Sequence, residues 1–464
     1  MSVYLEQALC WLGAYHVPVI LLSATLPAEQ RVSFVNAYLS NRDGSSQEEV
    51  KEWKEARGYP LLTWTDENKI CQRELQLQGN TRNVLIKRVK ESARIDILRE
   101  KLMDGGCAIV ILSTIRRAQE FAKEVRAQMP EAEIILLHSA FLMPDRAARE
   151  RELLQKLGKR STKAERDYLI VIGTSVLEQS LDIDGDVMFI DLCPMDLLLQ
   201  RLGRLHRHAI HDSMRPEQLK AAQCYVIEPD EDAFESGTSR IYGDYLLMRT
   251  KKRLPDHITL PTDIPNLVQD CYGTWDPQFA GEEVSIYQKA GEKEIKKTKL
   301  KRTGAQTYVL GDPDESLTGW LGNVKSDFSE GKAMAQVRDA ENSIEVLLFI
   351  KHEDEIRYLP WQQEGESLPL DRIPSKEEKR KILQQCVKLP GALCKTWKID
   401  MTLKELNQIR QWVLAGEWKQ DAELREESFL LLDENLETNF AGFHLRYTKA
   451  EGLICEKGEG DDRT

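Results

Sequence analysis

The residues best placed to do chemistry lie in Gln200-Arg201-Leu202-Gly203-Arg204-Leu205-His206-Arg207. On a helix, Gln200, Gly203, Arg204 and Arg207 stand at i, i+3, i+4 and i+7, so the pattern predicts that all four share one face. A guanidinium is planar, permanently charged and able to meet phosphate oxygens two at a time. Gly203 between two such forks lets a second surface approach closely. The spacing therefore suits a split triphosphate site, where an arginine finger contributes about 10³–10⁵ in rate. It also fits a solvated basic helix end that complements its own dipole. The surrounding elements decide between the two.

Those elements are short apolar runs that end in hydroxyl residues. Pro18–Leu22 reads as a buried parallel strand leading into Ser23-Ala24-Thr25, and Cys107–Leu112 as a second leading into Ser113-Thr114. The amphipathic stretch from Arg116 to Met129, with Ala118, Phe121, Ala122 and Val125 on one side, predicts a helix. A third strand is expected over Glu133–Ser139, with Asp145-Arg146 opening the next helix. A fourth, Tyr168–Ile172, runs into Gly173, after which Thr174 and Ser175 open a helix able to hold a backbone phosphate. Asp182 fits either a ribose or arginine contact or a plain turn carboxylate. The fifth strand is Asp186–Ile190, and Asp196 is placed to cap the arginine helix. Alternating strands and helices imply a parallel sheet covered on both faces.

With these residues in view, LLSATLP, VIGTSVLEQSLDID and DLLLQRLGRLHRH resemble motifs III, V and VI of superfamily 2 helicases. The phrase EQSLDID followed by CPMDLLLQRLGRLHRH is similar to the CRISPR-associated helicase–nuclease of type I systems. YPLLTW and GFHLRYT resemble its I-E branch. The resemblance implies a RecA-like parallel sheet as the second helicase lobe, then a helical linker and a smaller α+β carboxyl-terminal domain. Expected divisions are 1–35 (remnant of the first lobe), 36–80 (polar connection, with Asn41–Gln47 as a loop), 81–232 (second lobe), 233–320 (linker) and 321–464 (carboxyl-terminal domain). Residues 333–360 are expected as a hairpin or meander, 400–417 as a helix and 428–455 as short strands.

The resemblance also implies roles. Arg204 and Arg207 would reach ATP, positioned by Gln200, with Ser23, Thr25, Gly203 and Asp182 in nucleotide binding and coupling. Thr174, Ser175, Ser113 and Gln179 would hold single-stranded DNA. The partners implied are that DNA, the CRISPR surveillance complex and a separate chain carrying the first lobe and nuclease domain. One departure concerns the position after His138-Ser139, where the family often has arginine and this chain has Ala140.

No G-x-x-x-x-G-K-[ST] loop and no Asp-Glu-x-His box occurs, so ATP and Mg²⁺ would be gripped mainly by the missing first lobe. The chain is expected to correspond to the carboxyl-terminal half of the family protein, beginning past motif II. His211-Asp212 reads as a chance dipeptide, His206 and His208 as surface residues, and no metal site is expected. The nine cysteines contain no C-x-x-C pair, which suits reduced cytosolic thiols, and no apolar run is long enough for a membrane span. The net charge of −12 argues against a nucleic-acid coat but not against a motor with a local groove. Basic runs at 249–253 and 293–302 read as solvated faces. Two functions stand: half of an ATP-dependent helicase, or a non-catalytic DNA- or complex-binding remnant.

Overall fold

The computed structural model describes residues 2–40, 52–66, 69–76, 79, 81–178, 181–231, 233–273, 284–306, 313, 344–395 and 397–457. In chain order its strands are β1 (Leu61–Asp66), β2 (Lys69–Glu74), β3 (Arg82–Lys90), β4 (Cys107–Ile111), β5 (Glu133–Leu137), β6 (Leu169–Gly173), β7 (Val187–Asp191) and β8 (Ala222–Glu228). Then come β9 (His257–Leu260), β10 (Glu345–His352), β11 (Glu355–Arg357), β12 (Cys386–Lys388), β13 (Phe429–Leu432), β14 (Glu437–Phe440), β15 (Phe443–Thr448) and β16 (Gly452–Lys457). Within one sheet β7, β8, β3 and β9 are neighbours in that order, and β5 lies beside β6. The chain divides into two units, Met1–Ala108 with Asp184–Asp339 and Ile109–Ile183 with Ala340–Thr464, and β4 belongs in part to each.

In the first unit, β7 and β8 run parallel, as do β8 and β3. β9 lies antiparallel on β3, so the sheet is mixed rather than wholly parallel. Every residue of β7 is buried, as a strand covered on both faces requires. The helices Ser2–Ala14 and Ala28–Leu39 pack together, and a Cβ at Gly13 would sit 1.9 Å from the Tyr38 carbonyl oxygen. Only glycine permits that approach. Helices Ser236–Tyr242, Asp244–Arg253, Ile264–Tyr272 and Val284–Gln306 follow β8, with β9 between the second and the third, and Pro265 opens the third.

In the second unit β5 and β6 are parallel, and Leu112 N, just past β4, donates to Gly173 O at 2.8 Å. Helix Ile115–Gln128 buries the four apolar residues expected of it and is capped by Thr114, whose hydroxyl accepts from Arg117 N at 3.3 Å. The carboxyl-terminal part is built on β10, antiparallel to β11 and β12 and parallel to β13. Alternate β10 residues serve two cores: Val346 and Leu348 pack with Leu142, Leu430 and Tyr447, while Leu347 and Phe349 pack with Trp418 and Phe429. Strands β14, β15 and β16 form an antiparallel meander. The expected helix at 400–417 is Ile399–Val413, followed by a 3-10 turn at Glu417–Gln420.

Several expectations are corrected. Pro18–Leu22 is not a buried strand: no described strand pairs with it, and Ile20 and Leu22 are 85% and 93% exposed. Without a ladder partner the backbone of this exposed run is left to bond with water, and no strand forms. The polar connection at 36–80 contains the antiparallel β1–β2 hairpin. Asn41–Gln47 and residues 333–343 lie outside the described residues. Thr174 and Ser175 begin only the 3-10 turn Ser175–Leu177. Among the described residues no helix is long and apolar enough to cross a membrane.

Candidate functional site

Helix Met195–Leu202 carries the arginine motif only as far as Leu202; Gly203 is its C-cap. Arg204 and Arg207 therefore do not share a helical face with Gln200. Leu205 instead bridges to Gly185, His206 takes a positive φ of 50°, and the chain turns. Asp196 is not the cap either, since Pro194 holds that position. The Asp196 carboxylate accepts from the Tyr272 hydroxyl at 2.5 Å, and burial raises that phenol well above its ordinary range.

The turn is held from three sides, all within the first unit. Arg82 donates to Leu202 O at 3.1 Å and to His206 O at 2.9 Å, satisfying carbonyls at the helix end. Gly185 N donates to Arg204 O at 2.9 Å and His206 N to Gly185 O at 3.0 Å. The Arg207 amide donates to Asp184 Oδ1 at 2.7 Å. Asp184 Oδ2 in turn accepts from His211 Nδ1 at 2.6 Å and from Arg215 Nη2 at 2.8 Å. Arg215 also pairs with Asp186, whose other oxygen accepts from Cys107 N at 3.0 Å. Asp184, Asp186, His211 and Arg215 are all buried.

His211 is thus part of a buried ion cluster rather than a chance surface dipeptide. His206 is also half-buried; its Nε2 donates to Asp186 O at 3.0 Å, and burial pushes its pKa down to about 4. Arg82, Asp184, Asp186 and Arg215 were not singled out from sequence. The signal for the two aspartates is a pair of carboxylates two residues apart at the entrance of the apolar run 187–190.

The side chains expected to act present themselves as follows. Arg207 is exposed, with Nη1 donating to Gly203 O at 3.2 Å, and Arg204 is half-buried. Gln200 Nε2 donates to Thr25 Oγ1 at 3.2 Å, and Ser23 Oγ accepts from Thr25 N at 3.3 Å. The structure therefore brings the Ser-Ala-Thr loop to the arginine helix. Arg201 is fully buried and donates to Tyr242 OH at 2.9 Å, which turns the neighbouring Gln200 outward.

In the second unit, Ser113 and Thr174 lie just beyond the carboxyl ends of β4 and β6, the usual ligand side of an open α/β sheet. Both are buried, at 7% and 6% exposure, whereas Ser175 and Asp182 are exposed. Gln179 lies outside the described residues. His138 is fully buried, stacked on Phe141 at 4.4 Å, and burial lowers its pKa to about 3. Ala140, at the position flagged as a departure, is buried, and its carbonyl accepts from Leu453 N at 2.8 Å. Among the described residues no group of His, Cys, Asp or Glu is arranged to hold a metal ion.

Comparison with known proteins matches two family models. One, described as CRISPR-associated nuclease/helicase Cas3, C-terminal, matches residues 104–210; the other, Cas3 C-terminal domain, matches residues 338–453. The chain is 37% identical over 474 residues to the CRISPR-associated nuclease/helicase Cas3 of Streptococcus thermophilus, covering 98% of this chain and 50% of that protein. Among solved structures it is similar to one described as a CRISPR-associated protein (28% identity, TM-score 0.82, 98% of this chain and 49% of that one). It is also similar to T. fusca Cas3 with ADP (25% identity, TM-score 0.80, 98% and 52%). The chain spans about half the length of the relatives it matches.

Proposed function

Since this chain belongs to the CRISPR-associated Cas3 nuclease/helicase family, we propose that it is the carboxyl-terminal half of an ATP-dependent single-stranded DNA translocase that acts with a surveillance complex in CRISPR interference. Arg207, and Arg204 beside it, meet the triphosphate of an ATP gripped by a lobe outside this sequence. The observation that carries this reading is the pinned turn, which fixes the Arg207 backbone on Asp184 while leaving its side chain exposed. The planar guanidinium fits phosphate oxygens there, and its backbone needs no reorganisation as charge develops.

Gln200 and Thr25 link the arginine helix to the Ser-Ala-Thr loop, so that motion of one is felt by the other. Gly203 leaves room for close approach, and Asp182 faces solvent where a ribose hydroxyl can donate to it. Ser113, Thr174, Ser175 and Gln179 hold the backbone of the tracked strand. The buried carboxylates Asp184 and Asp186 are paired with Arg215 and do not suit Mg²⁺.

The test is to combine this chain with one that carries a phosphate loop and acidic box, and to measure DNA-stimulated phosphate release. Arg207→Lys should lose at least about 10²-fold in kcat, because an ammonium keeps the charge without the fork. Unchanged turnover in Arg207→Lys refutes the assignment. Retained DNA binding with no ATPase in the combined wild-type proteins would make the chain a binding fragment instead.

A further inference from the structure

Helix Val284–Gln306 is the longest described helix, with 23 residues, and two of its faces differ sharply. One face is packed. Tyr287 is fully buried, stacks on Tyr245 at 5.2 Å and accepts from Arg249 Nη1 at 3.0 Å, and Ala290, Gly291 and Ala305 are buried with it. At 3.6 residues per turn, a second side, centred about 130° from the packed one, carries Lys289, Lys293, Lys296 and Lys297, at i, i+4, i+7 and i+8. They fall within about 100° of arc and span about 12 Å of helix axis. Lys289, Lys293 and Lys296 are exposed and Lys297 half-buried. No described carboxylate pairs with any of the four.

A face that serves only solubility mixes charges of both signs. Here Lys293 has a like charge at i−4, i+3 and i+4, and each such neighbour destabilises a helix by about 0.2–0.5 kcal/mol. Glu292 sits at the margin of the stripe, four residues before Lys296, yet forms no ion pair with it. The helix holds seven basic and two acidic residues in a chain whose net charge is −12. Self-repulsion that local carboxylates leave unrelieved has a return only when a polyanion lies against it.

We propose that the stripe Lys289–Lys293–Lys296–Lys297 is a track for the phosphate backbone of single-stranded nucleic acid, additional to the contacts at Ser113, Thr174 and Ser175. The proposal rests on the reading that this chain works on a single DNA strand. A lipid surface fits less well. An interfacial helix needs a continuous apolar face, and here that face is already packed on Tyr245 and Arg249. The exposed apolar residues of this helix, Ile286, Ile295 and Leu300, form no continuous face: Ile295 lies about 180° round the helix from Ile286, and Ile286 and Leu300 stand fourteen positions apart, about 21 Å along the axis.

The experiment is fluorescence anisotropy of labelled oligo-dT with the full chain across a NaCl series. Each neutralised phosphate contributes about 0.7 to the slope of log K against log salt, so replacing all four lysines by Gln should lower the slope by about 3. Between 50 and 200 mM NaCl the wild type should then lose about 50-fold more affinity than the variant. Far-UV circular dichroism checks that the variant helix survives, and Lys293→Glu with Lys297→Glu gives a second, independent change. An unaltered slope in both variants overturns the proposal, as does binding to acidic vesicles in preference to DNA. Thr174→Ala with Ser175→Ala separates the two readings. If that pair weakens DNA binding while the lysine variants do not, the strand-end contacts stand and the stripe falls.

Discussion

Arg215→Met should destabilise the first unit by several kcal/mol, although Arg215 lies eight residues beyond the arginine motif. The Arg215 side chain is 1% exposed and serves two carboxylates, Asp184 at 2.8 Å and Asp186, which are themselves 0% and 3% exposed. Methionine fills much of the volume but leaves both carboxylates buried without the guanidinium they share. Removing one partner of a buried ion pair costs about 3–5 kcal/mol, much of it for stranding the other charge. Against a typical stability of about 5–15 kcal/mol, that is a large fraction. Urea unfolding followed by tryptophan fluorescence reads the loss as a lower midpoint with the slope preserved. Arg215→Lys should fall between, since one ammonium cannot span both carboxylates. Adding Asp184→Asn and Asp186→Asn to Arg215→Met should recover part of the loss by removing the stranded charges. A midpoint for Arg215→Met equivalent to less than about 0.5 kcal/mol, the range of ordinary surface changes, would refute the cluster's structural role.

The remaining predictions concern the second unit. His138 is neutral in the folded protein because burial holds it at about 3, below its ordinary 6.5, whereas the unfolded chain takes up the proton near 6.5. Its stability contribution is therefore complete above pH 6.5 and declines as pH falls toward 3, by at most about 1.4 kcal/mol per pH unit. His138→Gln should flatten urea midpoints measured between pH 7 and 5, and an unchanged pH slope would contradict the assignment. Asp145, in the first turn of helix Met143–Leu157, accepts from Tyr447 OH at 2.7 Å, Gln362 Nε2 at 2.6 Å and Trp361 Nε1 at 3.2 Å. Asp145→Ala strands three donors at about 1–3 kcal/mol each, so β15 and β16 should lose amide-exchange protection; full protection would show that packing alone holds them.

Much of the main sheet was legible because its strands are read without a partner in view. β4, β6 and β7 are buried throughout and apolar but for the Asp191 that ends β7, and such runs announce strands covered on both faces. The same rule misreads Pro18–Leu22, since apolarity proposes a strand but only a neighbouring ladder makes one. Motif resemblance singled out Gln200, Thr25, Arg204 and Arg207, and the first two do touch, yet helical spacing misjudged how the arginines are presented. Periodicity cannot register that Arg82, more than a hundred residues earlier, caps the helix at Leu202. The Asp184–His211–Arg215–Asp186 cluster was hidden for a similar reason: its members come from a strand entrance and a later turn, and charge pairing across such gaps leaves no period.

The displaced helix end changes what the arginine motif can do. A side chain on a helix face is carried by a rigid rod and can approach a phosphate only as the whole rod moves. In the turn, by contrast, the Arg207 amide is fixed on Asp184, and the neighbouring carbonyls Leu202 O and His206 O are taken by Arg82. Gly185 holds the strand of the turn between them. The backbone is thereby ordered before any ligand arrives, so the conformational cost of binding falls mainly on the side chain. Arg215 matters to this geometry because it allows Asp184 to be buried and still accept from the Arg207 amide. Without that guanidinium the carboxylate would favour water over its present place, and the turn would lose the contact that fixes Arg207. On the proposed reading, the burial of charge beneath the motif and the exposure of charge upon it are two halves of one arrangement.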